Sequence, residues 1–234
     1  MAVEQSYSRS HRDIQEEYNE IYRTDGIRDE ERAYLWQARL THRYAPQAEK
    51  ILDVACGAGY FPEKLTEVYP PTTQISGTDL SDVALQIAVK RCPKVDFQLA
   101  AAENLPYPKH VFDVITCLGS LEHFLDITAS LKEMARVVKP EGVMVIMVPN
   151  MMWYKDILAV LFTGYRKTRN QTQERFASLG EWIDIFQGCG LSVHRTIKYN
   201  GIARAGWKQF LKNMLIPLQF SYHFIFILKN SSNS

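Results

Sequence analysis

Hydrophobic positions near the start of the chain recur at the helical period. Ile14, Tyr18, Ile21 and Tyr22 fall at i, i+4, i+7 and i+8, which predicts an amphipathic helix. "DEERAYLWQARLTHRY" predicts a second helix from near Asp29. From Ile51 the pattern changes to short apolar runs separated by helical stretches. Strands are expected at Lys50 to Ala55, Gln74 to Asp79, Val95 to Ala100, Phe112 to Cys117, Gly142 to Val148, Leu191 to Tyr199 and Phe220 to Lys229. Helices fit between them at Phe61 to Val68, Ser81 to Cys92, Asp126 to Val138 and Ser178 to Gln187, the last closed by Gly188.

Strands alternating with helices predict an α/β fold: a mostly parallel, seven-stranded sheet with helices on both faces. The last two strands are expected to pair antiparallel at an edge. Without an internal repeat or a low-complexity linker, one domain spanning 1–229 is expected, with 151–177 as an insertion and 230–234 as a disordered tail.

Composition narrows the function classes. With 234 residues and 46% hydrophobic content the chain can bury a substantial core, and a net charge of +1 gives no global pull toward nucleic acid. The distribution is uneven: no acidic residue follows Asp184, while six basic ones do, so that stretch is +6 and the remainder about −5. Cys56, Cys92, Cys117 and Cys189 are scattered without a paired spacing, which argues against a zinc site or a disulfide framework; no metal is expected. No secretory leader and no spanning apolar run are visible, so a cytoplasmic location is the expectation.

Candidate chemistry begins at "ILDVACGAGYF", where a carboxylate interrupts an apolar strand that ends on Gly57-Ala-Gly59. Ligands of open parallel sheets bind beyond the carboxyl ends of the strands, and a glycine turn there lets a ligand approach the backbone. The dinucleotide fingerprint requires a third glycine where this chain has Pro62, which speaks against a nucleotide-dependent oxidoreductase. Asp53, four residues ahead of Gly57, suits a ligand carrying ammonium or sulfonium better than one carrying phosphate. Asp79, about 20 residues past the turn, stands where an acid accepts bonds from ribose hydroxyls; capping the next helix is its alternative role, for which Ser81 competes.

"DVACGAG", "GTDLS", "AAAENLPYPKHVFDVITCLGSLEHF" and "MARVVKPEGVMVIMVPN" occur in order, and together they resemble a class I S-adenosylmethionine-dependent methyltransferase of the small-molecule type. The resemblance covers residues 48–150 closely. It implies a Rossmann-like sheet with an antiparallel last strand, N-terminal helices (1–47) over the cofactor site, and S-adenosylmethionine as cofactor with S-adenosylhomocysteine as product. Asp53 and the backbone of Ala55 and Gly57 would hold the methionine ammonium, Gly59 would admit the cofactor, Asp79 would take the ribose, and Leu80 would pack on adenine. The family usually has an acidic residue where this chain has Ala101, so the adenine edge falls to Ala102 and Glu103 or Asn104. The backbone at Leu118 would line the methionine portion. Tyr18 resembles a tyrosine that closes over the cofactor, although helix packing explains it equally well.

Methyl transfer to a hydroxyl needs a proton acceptor, and His123, just past the fourth strand, is the catalytic candidate; capping or backbone bonding is its structural alternative. Glu122 is expected to be structural or solvent-facing. The insertion "NMMWYKDILAVLFTGYRKTRNQTQERF" leaves the carboxyl end of the fifth strand and reads as a lid whose apolar face packs on the domain. Its Met and aromatic content suits an apolar acceptor, and its cations allow contact with an anionic membrane or a lipid-linked substrate. The resulting expectation is an O-methyltransferase acting on an apolar, sugar or lipid-linked small molecule. An N- or C-methyltransferase of a secondary metabolite and a non-catalytic S-adenosylmethionine-binding regulatory protein are the alternatives.

Overall fold

Seven strands form one sheet: β1 (Lys50–Val54), β2 (Gln74–Asp79), β3 (Asp96–Leu99), β4 (Phe112–Leu118), β5 (Val138–Pro149), β6 (Leu191–Tyr199) and β7 (His223–Asn230), in the order β3-β2-β1-β4-β5-β7-β6. A computed structural model describes residues 9–24, 31–165, 175–201 and 214–231. All neighbouring strands run parallel except β7, which is antiparallel to both β5 and β6. The antiparallel last strand is therefore present, but it lies inside the sheet and β6 forms the edge. A hairpin connection suffices to bring β7 back beside β6, while its apolar run HFIFILKN, with Phe224 to Leu228 fully buried, needs cover on both faces.

Helices α1 (His11–Thr24), α2 (Glu31–Tyr44), α3 (Tyr60–Val68), α4 (Asp82–Arg91), α5 (Ile127–Val137), α6 (Tyr154–Thr163) and α7 (Leu179–Gly188) complete the described fold. Their starts are encoded locally. Ser81 Oγ accepts the Ala84 N–H at 3.0 Å, Asp126 accepts the Ala129 N–H at 2.9 Å, and Ser178 with Glu181 makes a reciprocal capping box. Such caps are worth about 1 kcal/mol each.

Alternation along the strands divides the core between two faces. Leu52, Ile115, Ile146 and Phe226 point to α5 and α7, where Leu131, Met134, Trp182 and Phe186 are fully buried. Ile51 and Val114 point to α3, and Val145, Ile225 and Ile227 pack under Leu40 of α2. Trp182 also donates from Nε1 to the Pro149 carbonyl at 3.0 Å, which ties α7 to the carboxyl end of β5.

One boundary differs from the sequence reading. The tail begins later: β7 runs to Asn230 and the Ser231 N–H donates to the Gly190 carbonyl at 2.9 Å, while 232–234 lie outside the described residues. The insertion has no fully buried residue in α6, where Tyr154, Ile157 and Ala159 are partly covered, and α6 contributes to none of the three apolar clusters. It leaves the domain at Asn150, 2% exposed, whose Nδ2 donates to the Gln219 and Ser221 carbonyls at 2.8 Å each. Residues 166–174 of the insertion lie outside the described residues.

Candidate active site

The chain leaves β1 through three left-handed residues, Ala55 (φ 58°), Gly57 (φ 54°) and Gly59 (φ 79°). An alanine in this region carries a steric cost of roughly 1–2 kcal/mol, so the turn is held from outside. Its holder is Asp79: Oδ2 accepts the Gly57 N–H at 2.7 Å and Oδ1 accepts the Ser81 N–H at 2.8 Å. Burial raises the Asp79 carboxyl, and the N–H groups of Ser81, Gly57 and Leu80 act against that rise. Since Ser81 supplies the cap of α4, Asp79 does not serve as that cap.

The two glycines have different duties. A Cβ at Gly57 would collide with the Tyr22 hydroxyl, so this glycine allows α1 to lie on the turn. A Cβ at Gly59 would press on Ala88 and Phe97, so Gly59 permits α3, α4 and β3 to approach one another.

Above the turn lies a cavity of about 210 Å³ at the carboxyl end of the sheet. Ala55, Asp79 and Leu80 form one wall, Ala100 and Ala102 past β3 a second, and Gly119, Ser120, His123 and Phe124 past β4 a third. Ile14, Tyr18 and Tyr22, spaced i, i+4, i+8 on α1, close it. Burial, followed by the charges of Glu122 and Asp79, pushes the Tyr18 hydroxyl well up; burial and Asp79 do the same for Tyr22. Both phenols stay protonated at neutral pH and remain able to donate.

A polar contact fastens α1 there. Asn19, 8% exposed, accepts from Ser81 Oγ at 2.6 Å and donates to Asp82 Oδ1 at 2.7 Å. The start of α4 thereby holds α1 over the cavity.

Asp53 lies beneath the turn, 3% exposed, and Thr116 Oγ1, opposite it on β4, donates to it at 2.6 Å. Burial pushes the Asp53 carboxyl up to about 7, with Thr116 opposing and Asp79 reinforcing the shift. His123 ends a one-turn 3₁₀ helix (Leu121–His123), with Nε2 3.8 Å from Glu122 Oε1. Glu122 is only 5% exposed, so the solvent-facing expectation for it fails: its own carbonyl also accepts the Arg175 N–H at 3.0 Å.

Of the residues singled out by sequence, Tyr18, Ala55, Asp79, Leu80, Ala102 and His123 line one cavity. Gly57 backs it through Asp79, and Asp53 sits below. Gly59, Glu103 and Leu118 are not among the lining residues. Glu103 pairs with His11 Nε2 at 3.1 Å and accepts the Asp126 N–H at 3.2 Å, so its carboxylate serves the starts of α1 and α5. Leu118 packs its side chain between two apolar clusters, and the wall is made by the next two residues instead. Sequence reading passed over Ile14 and Tyr22 as site residues although their spacing with Tyr18 was visible; Ala100, Gly119, Ser120 and Phe124 carry no signal of their own.

A family model described as a methyltransferase domain matches residues 28–196. The chain belongs to the class I S-adenosylmethionine-dependent methyltransferases. It is 30% identical over 190 residues to a demethylmenaquinone methyltransferase of Bacillus licheniformis, covering 70% of this chain and 81% of that one. It is 28% identical over 156 residues to the uncharacterized methyltransferase YcgJ of Bacillus subtilis, covering 64% of this chain and 60% of YcgJ. Some curated relatives are matched over less of their length, such as 41% for the demethylmenaquinone methyltransferase of Chlorobaculum parvum. In fold it is similar to the [4+2]-cyclase SpnF, with a TM-score of 0.69 at 16% identity, over 94% of this chain and 96% of the other.

S-adenosylmethionine is the cofactor of this methyltransferase family, and the residues present fit it. The cavity offers a carboxylate oriented by backbone donors, small residues at Ala55, Ala100 and Ala102, and no cluster of metal ligands among the described residues. Asp79 would hold the ribose, Leu80 and Ala102 the adenine, and the Ala55 to Gly57 backbone the methionine end.

Proposed function

We propose that this methyltransferase methylates a hydroxyl of a small acceptor, apolar, sugar or lipid-linked, with His123 as the proton acceptor. The observation that carries the reading is that His123 and Asp79 line the same cavity. When bound, S-adenosylmethionine supplies a methyl group on a sulfonium centre, ready for in-line displacement. The chain contributes position and exclusion of water: α1 lies across the cavity, and in such a reaction the charge falls on the way to the transition state.

With the cofactor bound, His123 would take the hydroxyl proton while the acceptor oxygen is methylated, the electron pair of the broken bond staying on the cofactor as it leaves as S-adenosylhomocysteine. Glu122, 3.8 Å from Nε2, then faces a positive ring and stabilises it. The Bacillus licheniformis relative is named for a demethylmenaquinone acceptor, which supports an apolar substrate class.

The test is turnover of a metabolite panel with radiolabelled S-adenosylmethionine, comparing wild type with His123→Gln. General-base loss predicts a fall of roughly 10²–10⁴ in kcat with S-adenosylhomocysteine affinity unchanged. Equal turnover in the variant would assign the reaction to a nitrogen or carbon acceptor needing no base from His123. Absence of turnover with intact cofactor binding would favour a regulatory protein.

A further inference from the structure

Beyond Lys155 and Asp156 in its first turn α6 is apolar, and although Tyr154, Ile157 and Ala159 are partly covered, none of its residues is fully buried. From Ile157 to Tyr165 it carries no charge, yet Leu158, Leu161, Phe162 and Tyr165 are 45%, 73%, 84% and 80% exposed. Apolar side chains of this size on a helix normally face a core. Held in water, a contiguous face of this kind marks a docking surface.

Further exposed apolar side chains stand at the same rim. Trp153, which opens α6, packs its ring 4.5 Å from Tyr222, just before β7. Met214 and Leu215, 60% and 76% exposed, are tied to the end of β6 by Lys198 Nζ, which donates to the Met214 and Ile216 carbonyls at 3.5 and 2.9 Å. β5 and β6 end, and β7 begins, at the carboxyl rim of the sheet, where the cavity also lies. The apolar face and the candidate active site therefore share one rim.

Charge selects the occupant. On α6 Lys155, over the Trp153 ring, adjoins Asp156; Lys198 stands beside Met214, and beyond Asp184 every charged residue in the sequence is basic. A second copy bound across a two-fold axis would set this cationic surface against itself. An anionic bilayer presents the complementary charge and accepts apolar side chains below it. At ten residues α6 is far too short to cross, and among the described residues no helix is long and apolar enough to do so. We propose that α6, together with Met214 and Leu215, rests in the headgroup region of an anionic lipid surface and brings the site's rim to an acceptor held there. This rests on the reading of an apolar or lipid-linked acceptor.

The experiment is flotation of the full chain with phosphatidylcholine vesicles, with and without phosphatidylglycerol, at low and high salt. Binding is expected to anionic vesicles at low salt, weakened by salt and by omission of phosphatidylglycerol. Leu161→Ser with Phe162→Ser should weaken partition roughly 100-fold, the scale of withdrawing two large apolar side chains from lipid. No flotation at low salt, or flotation unchanged in the double variant, overturns the proposal. So does a concentration-dependent dimer in sedimentation velocity that the same substitutions dissolve, since the face would then meet a second copy. S-adenosylhomocysteine calorimetry without lipid, unchanged in the double variant, shows an intact fold and separates a failed membrane surface from a failed cofactor site.

Discussion

α1 and α6 are short helices that both stand at the carboxyl rim, and they behave in opposite ways. α1, HRDIQEEYNEIYRT, is the more polar of the two, yet it lies across the cavity and buries Ile14 and Asn19. α6, YKDILAVLFT, is the more apolar and buries nothing. The difference is one of specific partners. Asn19 meets Ser81 and Asp82 at the start of α4, and the Tyr22 hydroxyl fills the space that a Cβ at Gly57 would need, so α1 has one position. Among the described residues α6 joins none of the apolar clusters, and Leu158, Leu161 and Phe162 stay 45%, 73% and 84% exposed, so their hydrophobicity remains available to something outside the fold. Hydrophobic content shows that a surface wants cover; complementary contacts decide which cover it receives.

The largest effect should come from the carboxylate beneath α1. Asp79→Ala removes both the oriented acceptor and the support of the Ala55 to Gly57 turn, and should weaken S-adenosylhomocysteine roughly 100-fold in calorimetry. An unchanged affinity would place the cofactor elsewhere. Next in size is the pH response of Asp53. Its folded pKa of about 7 lies above the 3.8 of an ordinary carboxyl, so its contribution to stability is fully present below pH 4 and is lost as pH rises to about 7. Denaturant melts of the free protein should show wild type losing, at the steepest, roughly 1.4 kcal/mol per pH unit relative to Asp53→Asn across that window. Parallel curves would show Asp53 to be ionised throughout.

Smaller effects separate the helices directly. Asn19→Ala should cost about 1–2 kcal/mol, since it strips two hydrogen bonds from buried groups. It should also speed proteolytic cleavage within α1, slowed again by S-adenosylhomocysteine. The Leu161→Ser and Phe162→Ser pair, by contrast, should shift stability by less than about 0.5 kcal/mol in water, as expected for exposed positions. A large loss there would mean that α6 packs on the domain after all, and the contrast would collapse.

Much of this was legible in the chain. The seven strands, the caps at Ser81, Asp126 and Ser178, and the pairing of a glycine turn with Asp79 are all written in local residue pattern. Tyr18 and His123 could also be placed near the site, because each lies within a few residues of an element end whose direction the α/β pattern sets. Where the Glu103 carboxylate points was not legible, because proximity in sequence to the adenine wall says nothing about where a flexible side chain finds donors; it meets His11 and the Asp126 N–H. That Gly59 makes room for Ala88 and Phe97 was not legible either, because a left-handed glycine looks the same in sequence whether a ligand or a neighbouring helix needs the space.

The sequence by itself determined the order and kind of the elements, the family, and the end of the sheet at which the candidate cavity lies. These follow from short-range sterics, capping and hydrophobic period, which act between residues a few positions apart. Only the tertiary structure decided that β7 lies inside the sheet, that Tyr22 as well as Tyr18 closes the cavity, and that α6 stands uncovered. Those outcomes depend on which of several apolar faces and buried polar groups are satisfied first, a competition among contacts far apart in the chain that local pattern does not encode.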